Sequence, residues 1–149
     1  MQDAYSSYVI SPANHLIICN FQGRISFSEI IQINISFLSD TDYNCAFDVL
    51  LDFRSSIAIG FEFDLREYVK FFKKSVRLEK RVKVGILYNT ANQEFLISIY
   101  KPIAKLLKMD VGSFRKFDDC IAWMNYTNGE RVIIEDLLHS IKAKDIVVF

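Results

Sequence analysis

The sequence predicts an α/β protein: a mixed sheet with an N-terminal hairpin, mostly parallel central strands and flanking helices. Three observations lead there. Two strand-like segments near the N-terminus are joined by a four-residue turn. Residues 47–53 (FDVLLDF) form a short, nearly continuous apolar run, the pattern of a strand covered on both faces. From there on, strand-like and helix-like segments alternate, which calls for right-handed crossovers with helices packed on the sheet.

Residues 5–10 and 15–21 read as the hairpin strands, with Ser-Pro-Ala-Asn as the turn and Gly23 ending the second strand. Ser26-Phe27-Ser28-Glu29 is a capping box, in which the hydroxyl and the carboxylate satisfy exposed helix-end amides. A helix over 27–38 follows. Its isoleucines favour strands, yet Phe27, Ile30, Ile31, Ile35 and Leu38 repeat at helical spacing.

After the 47–53 strand, Arg54-Ser55-Ser56 forms a corner, and Asp64-Leu65-Arg66-Glu67 caps a second helix with Leu65, Tyr68, Val69, Phe72 and Val76 facing inward. Residues 81–88 (RVKVGILY) are the next strand. Thr90-Ala91-Asn92 caps a third helix carrying Phe95, Leu96, Ile99, Ile103, Leu106 and Leu107, with Pro102 as a kink or restart. Residues 113–117 read as a short strand, and Asp118 caps a helix holding Ile121, Ala122 and Trp123. Beyond Asn128-Gly129 comes an amphipathic helix with Ile134, Leu137, Leu138 and Ile141 on one stripe. Ile146, Val147, Val148 and Phe149 close the chain as a terminal strand or docking arm.

At 149 residues the chain is expected to be one domain, 1–149, with a helix-plus-strand extension from about residue 129. Its 51% hydrophobic and 14% aromatic residues can fill a sizeable core. Eighteen basic and eighteen acidic residues cancel, removing the global attraction that nucleic-acid and anionic-membrane binders show. No apolar run reaches the length of a signal peptide or a membrane span, so a soluble, cytoplasmic protein is expected. Cys19, Cys45 and Cys120 are odd in number and lack C-x-x-C spacing, the pattern of reduced thiols rather than of a disulfide framework or zinc site.

The order of elements, the FDVLLDF strand leading through a serine-bearing corner to a helix, and the FRKFDDCIAWM segment resemble the SpoIIAA-like proteins, relatives of the STAS domains. The resemblance covers roughly residues 5–126. It implies a non-enzymatic module that binds protein partners, in some members switched by phosphorylation of a serine after the central strand. The family's D-S-S-G phosphoacceptor motif falls here on Ile57-Ala58-Ile59-Gly60, so the acceptor serine is missing. Ser55 and Ser56 can stand in only if the loop is re-registered.

Open parallel sheets bind ligands where loops leave the carboxyl ends of the strands. Those loops bring together Asn20, Gln22 and Arg24, then Arg54 and Ser55, then Asn89 and Thr90. Arg54 with nearby amides can hold an anion, or it can pair with Asp52 while the serines satisfy loop backbone. Residues 70–83 carry seven basic residues interleaved with aromatics. Lys70, Phe71, Lys74 and Arg77, with Phe149, are the candidate partner surface, and an ordinary solvated helix face explains the same lysines.

His15 and His139 lack companion ligands, so no metal is expected, and no cofactor either. G-x-S-x-G, G-x-x-x-x-G-K-[ST] and G-x-G-x-x-G are all missing, which leaves enzymatic activity unsupported. Asp118-Asp119 is explained by its position at a helix start. The expected function is a non-enzymatic protein-interaction or regulatory module that binds a protein partner or itself. The alternative is a carrier of a small apolar or anionic ligand, with Phe61, Phe63, Phe95 and Tyr100 lining its pocket.

Overall fold

The computed structural model describes residues 4–60, 69–71, 73–74 and 81–143. Strand β1 (Tyr5–Ser11) pairs antiparallel with β2 (Leu16–Ile25) through a 3-10 turn, Pro12–Asn14. His15 lies outside the strand expected for it. It adopts a left-handed φ of 51° to close the turn, and its ring stacks on Phe47. Proline supplies the fixed φ that starts this turn.

Helix α1 (Phe27–Leu38) carries both halves of the expected capping box: the Ser26 N–H donates to Glu29 Oε2 at 2.6 Å, and the Ser28 N–H to Ser26 Oγ at 3.2 Å. It buries Phe27, Ile30, Ile33, Asn34 and Phe37, with Ile31 and Leu38 half-buried against the core; of the expected stripe Ile35 alone stays exposed. Strands β3 (Asp48–Ala58), β4 (Val82–Leu87) and β5 (Met109–Phe114) run parallel to β2, and the sheet order is β1-β2-β3-β4-β5. Helix α2 (Ala91–Leu106) connects β4 to β5 and continues unbroken through Pro102. Helices α3 (Phe117–Trp123) and α4 (Asn128–Ala143) complete the described chain.

Several boundaries differ from expectation. Strand β2 continues past Gly23 and β3 past Phe53, and the strand expected at 113–117 sits at 109–114. The N-cap of α3 is Lys116 without a side-chain bond; Asp118 instead pairs with Arg131 of α4. Phe95 is not inward but 57% exposed. The capping segment 64–67, with Leu65, Tyr68, Phe72 and Val76, and the terminal arm 146–149 lie outside the described residues.

The sheet is covered on both faces, as its apolar strands require. One face packs Ile17, Cys19, Phe21, Phe53, Val84 and Ile86 against α1 and α2. The other packs Leu16, Ile18, Leu50 and Leu87 against Cys120, Ile121 and Met124 of α3 and Ile134, Leu138 and Ile141 of α4. Gly85 lets α3 approach β4: a Cβ there would lie 2.6 Å from Cys120 Sγ. No helix among the described residues is long and apolar enough to cross a membrane.

Candidate functional site at the carboxyl edge of the sheet

Asp52 is the one carboxylate set inside the β3 apolar run that is almost fully buried, with 1% of its side chain exposed. A buried charge is tolerated only with partners. Here they come from two elements. Arg54 binds it through both ends of its fork, Nε to Oδ1 and Nη2 to Oδ2, each at 3.0 Å. Lys142 of α4 reaches Oδ2 at 2.7 Å.

A bulge places Arg54. The β2–β3 register passes from Asn20–Asp52 to Gln22–Ser55, leaving one extra residue on β3. The Arg54 N–H then donates to Asp52 Oδ1 at 3.1 Å. The Asp52 carboxyl is subject to burial, which raises its pKa, yet the Arg54 hydrogen bonds and the charges of Lys142 and Arg54 hold it below the ordinary aspartate value. Asn20, the neighbour of Asp52 across the ladder, is fully buried with neither side-chain polar atom bonded. Beside it on β1, Ser7 Oγ donates to the Ile141 carbonyl at 3.3 Å, so the last turn of α4 closes over this polar row.

The Asn89-Thr90 loop is organised by a different residue. Gln93, 1% exposed, accepts from the Asn89 N–H at 2.7 Å and the Thr90 N–H at 3.3 Å, and donates to the Ser56 carbonyl at 2.8 Å. Thr90 accepts in return from the Gln93 N–H, completing a capping box. Asn92 does for Ala58 what a neighbouring strand would: it accepts from its N–H at 2.8 Å and donates to its carbonyl at 3.1 Å.

The predicted site residues therefore form two separate sets. Arg54 is engaged with Asp52, and Asn89 and Thr90 with Gln93. Ser55 is exposed on the strand, whereas Ser56 is buried, its hydroxyl donating to the Phe53 carbonyl at 2.7 Å. What was expected to be a corner is the continuing strand, held by the bulge. Of the candidate partner surface, Lys70 and Lys74 are exposed, but Phe71 is half-buried against the core; Arg77 and Phe149 lie outside the described residues. Gln93 and Lys142 are residues the sequence did not single out, and Asn20, expected in a loop, sits inside β2. Only an aspartate inside an apolar strand signalled that cations had to be nearby.

An apolar cleft opens on the α1 and α2 face, lined by residues that include Ile17, Phe37, Tyr43, Phe47, Tyr100 and Met109, with a free volume of about 50 Å³. Phe95 does not line it, Tyr100 does, and Phe61 and Phe63 lie outside the described residues. Among the described residues no three His, Cys, Asp or Glu side chains gather as a metal ion would need.

No protein-family model and no curated protein matches the chain. Among solved structures it is similar to an uncharacterized protein of the DUF3478 family with a SpoIIAA-like fold from Shewanella loihica. The TM-score is 0.54 at 11% identity, over 83% of this chain and 97% of that one. At that identity the likeness concerns the fold, and the fold is SpoIIAA-like, as the order of elements predicted.

Proposed function

We propose that the protein is a non-enzymatic interaction or regulatory module that contacts a protein partner through the carboxyl edge of its sheet. One observation carries this reading. At that edge Arg54 and Lys142 are engaged with Asp52, and Gln93 and Asn92 with the backbone of β3, while Ile57, Ile59 and Phe95 are 41%, 37% and 57% exposed. Asn92 fastens the first turn of α2 to Ala58, and Phe95 lies one turn further along the same helix face. Apolar side chains at the edge where open sheets usually receive ligands suit an apolar patch on a partner. The resemblance to STAS domains, which bind protein partners, supports the same function. Two fully buried thiols, Cys19 and Cys120, suit a reducing compartment, which fits the cytoplasm.

The test is a photo-crosslinking amino acid at position 95 in cells. The expected result is one defined protein adduct, a second copy of the chain included, that Ile57→Lys abolishes. An adduct indifferent to that substitution, or none, overturns the proposal.

A second reading, carriage of a small apolar ligand, is favoured by the aromatic cleft alone. Its free volume of about 50 Å³ suits a short aliphatic group and not a drug-sized molecule. A ligand held there would raise Tm in a screen of short-chain fatty acids, and Tyr100→Ala would remove the rise.

A further inference from the structure

Among the described residues strand β5 ends the sheet at the side opposite the hairpin, and a groove runs between it and α2. The groove holds about 290 Å³ and is lined by Arg81, Lys101, Lys105, Met109, Asp110 and Val111. Lys101 and Lys105 stand one turn apart on the exposed side of α2, and Lys101 Nζ reaches Ser113 Oγ at 3.1 Å. At the groove's end Arg81 Nη2 meets Asp110 Oδ1 at 2.9 Å. That pair cancels the one acidic charge among the described lining residues, so there the two lysines set the sign of the groove.

The backbone beside them is equally specific. The Phe114 carbonyl accepts from the Tyr88 N–H, on the β4 side. Backbone groups alternate along a strand with a period of two. Even-numbered residues of β5 therefore turn to β4, and Met109, Val111 and Ser113 turn their N–H and C=O groups to the open edge. Spacing matches as well: four helical residues rise about 6 Å, and two strand residues about 6.7 Å. Acidic side chains at alternate positions of an added strand would thus meet Lys101 and Lys105 in turn.

We propose that this groove takes an extended acidic segment of a protein partner as a strand beside β5, paired to the backbone of Met109, Val111 and Ser113 and selected by Lys101 and Lys105. The positive sign excludes a basic or neutral occupant from the best match, and the edge ladder favours a polypeptide over a nucleic acid, whose backbone cannot complete it. The surface is separate from Ile57, Ile59 and Phe95, so neither proposal depends on the other.

The experiment titrates the full, isotope-labelled chain with an acetylated, amidated Thr-Glu-Val-Glu-Val-Glu peptide by NMR. Expected are shifts at the amides of Met109, Val111 and Ser113, at least tenfold weaker binding in Lys101→Glu/Lys105→Glu, and no binding of the peptide N-methylated at alternate residues. The Ile57→Lys variant should bind unchanged. Shifts confined to another surface, binding that survives N-methylation, or an equal response to a single-stranded oligonucleotide of the same charge would overturn it, as would no binding. Both lysines are exposed, so the charge reversal leaves the core intact.

Discussion

Lys142, in the last turn of the C-terminal helix, holds its Nζ 2.7 Å from Oδ2 of Asp52 in the middle of the central strand. The carboxylate it meets is 1% exposed and already carries Arg54 on its other flank. Two cations on one buried anion fasten α4 to the sheet and use the polar chemistry of the carboxyl edge internally. Removing the carboxylate strands both cations, which typically costs about 3–5 kcal/mol. Arg54 and Lys142 keep about a quarter of their side chains in water, so the lower end of that range applies.

The pH dependence has a definite sign. The folded-state pKa of Asp52 lies below its unfolded value, because the Arg54 hydrogen bonds and two positive charges outweigh burial. Its contribution is present above about pH 4 and disappears as pH falls through the depressed value. In urea titrations the stability gap between the native protein and Asp52→Asn should be widest at neutral pH and close in that acid window. A gap independent of pH would contradict it.

Asn20 predicts an unusual gain. A buried amide without partners costs about 1–3 kcal/mol, and an apolar replacement removes that cost. Valine fits a central strand, so Asn20→Val should equal or exceed the native protein in denaturant midpoint. A loss of more than about 1 kcal/mol would mean that the amide is bonded in solution.

Gln93 should matter more than the threonine it assists. Gln93→Ala leaves the Ser56 carbonyl and the Asn89 N–H without partners, a loss of about 2 kcal/mol, against about 1 kcal/mol for the cap in Thr90→Ala. Thermal denaturation ranks the two variants, and the reverse order would show that Gln93 is not the joint between β3 and α2.

The thiols divide by burial. Burial pushes Cys19 far up, and burial together with the charge of Asp52 pushes Cys120 to about 12. Cys45 is half-buried in the loop before β3. Iodoacetamide at pH 8 should label one thiol per native chain, at Cys45. Labelling of Cys120 without denaturant would mean that α3 and α4 open readily from the sheet.

Which parts were legible follows from where their causes lie. The capping box at Ser26 and Glu29, the hairpin turn and the buried 47–53 run are local, so type and order of elements were readable from spacing. Strand ends were not. The continuation of β3 beyond Phe53 depends on a bulge opposite Asn20 and Gln22, a pairing feature with no signature in either strand alone. In α1 the buried stripe takes in Ile33 and Phe37, which the expected stripe omitted, Ile31 and Leu38 pack half-buried against the core, and Ile35 is left exposed. Lys142 reads as one more solvent-facing lysine, and only tertiary packing brings it to Asp52. The pairing of Arg54 with Asp52 was one of the alternatives left open by the sequence, and it is the one the structure shows.

The most direct measurement is a double-mutant cycle on Asp52→Ala and Lys142→Met, read by urea denaturation at pH 7. If the clamp fastens α4 to the sheet, the two substitutions couple by about 1–3 kcal/mol, and the double variant is far less destabilised than their sum. Additive losses, or a Lys142→Met variant as stable as the native protein, would mean that the cations at the carboxyl edge are free to bind something else.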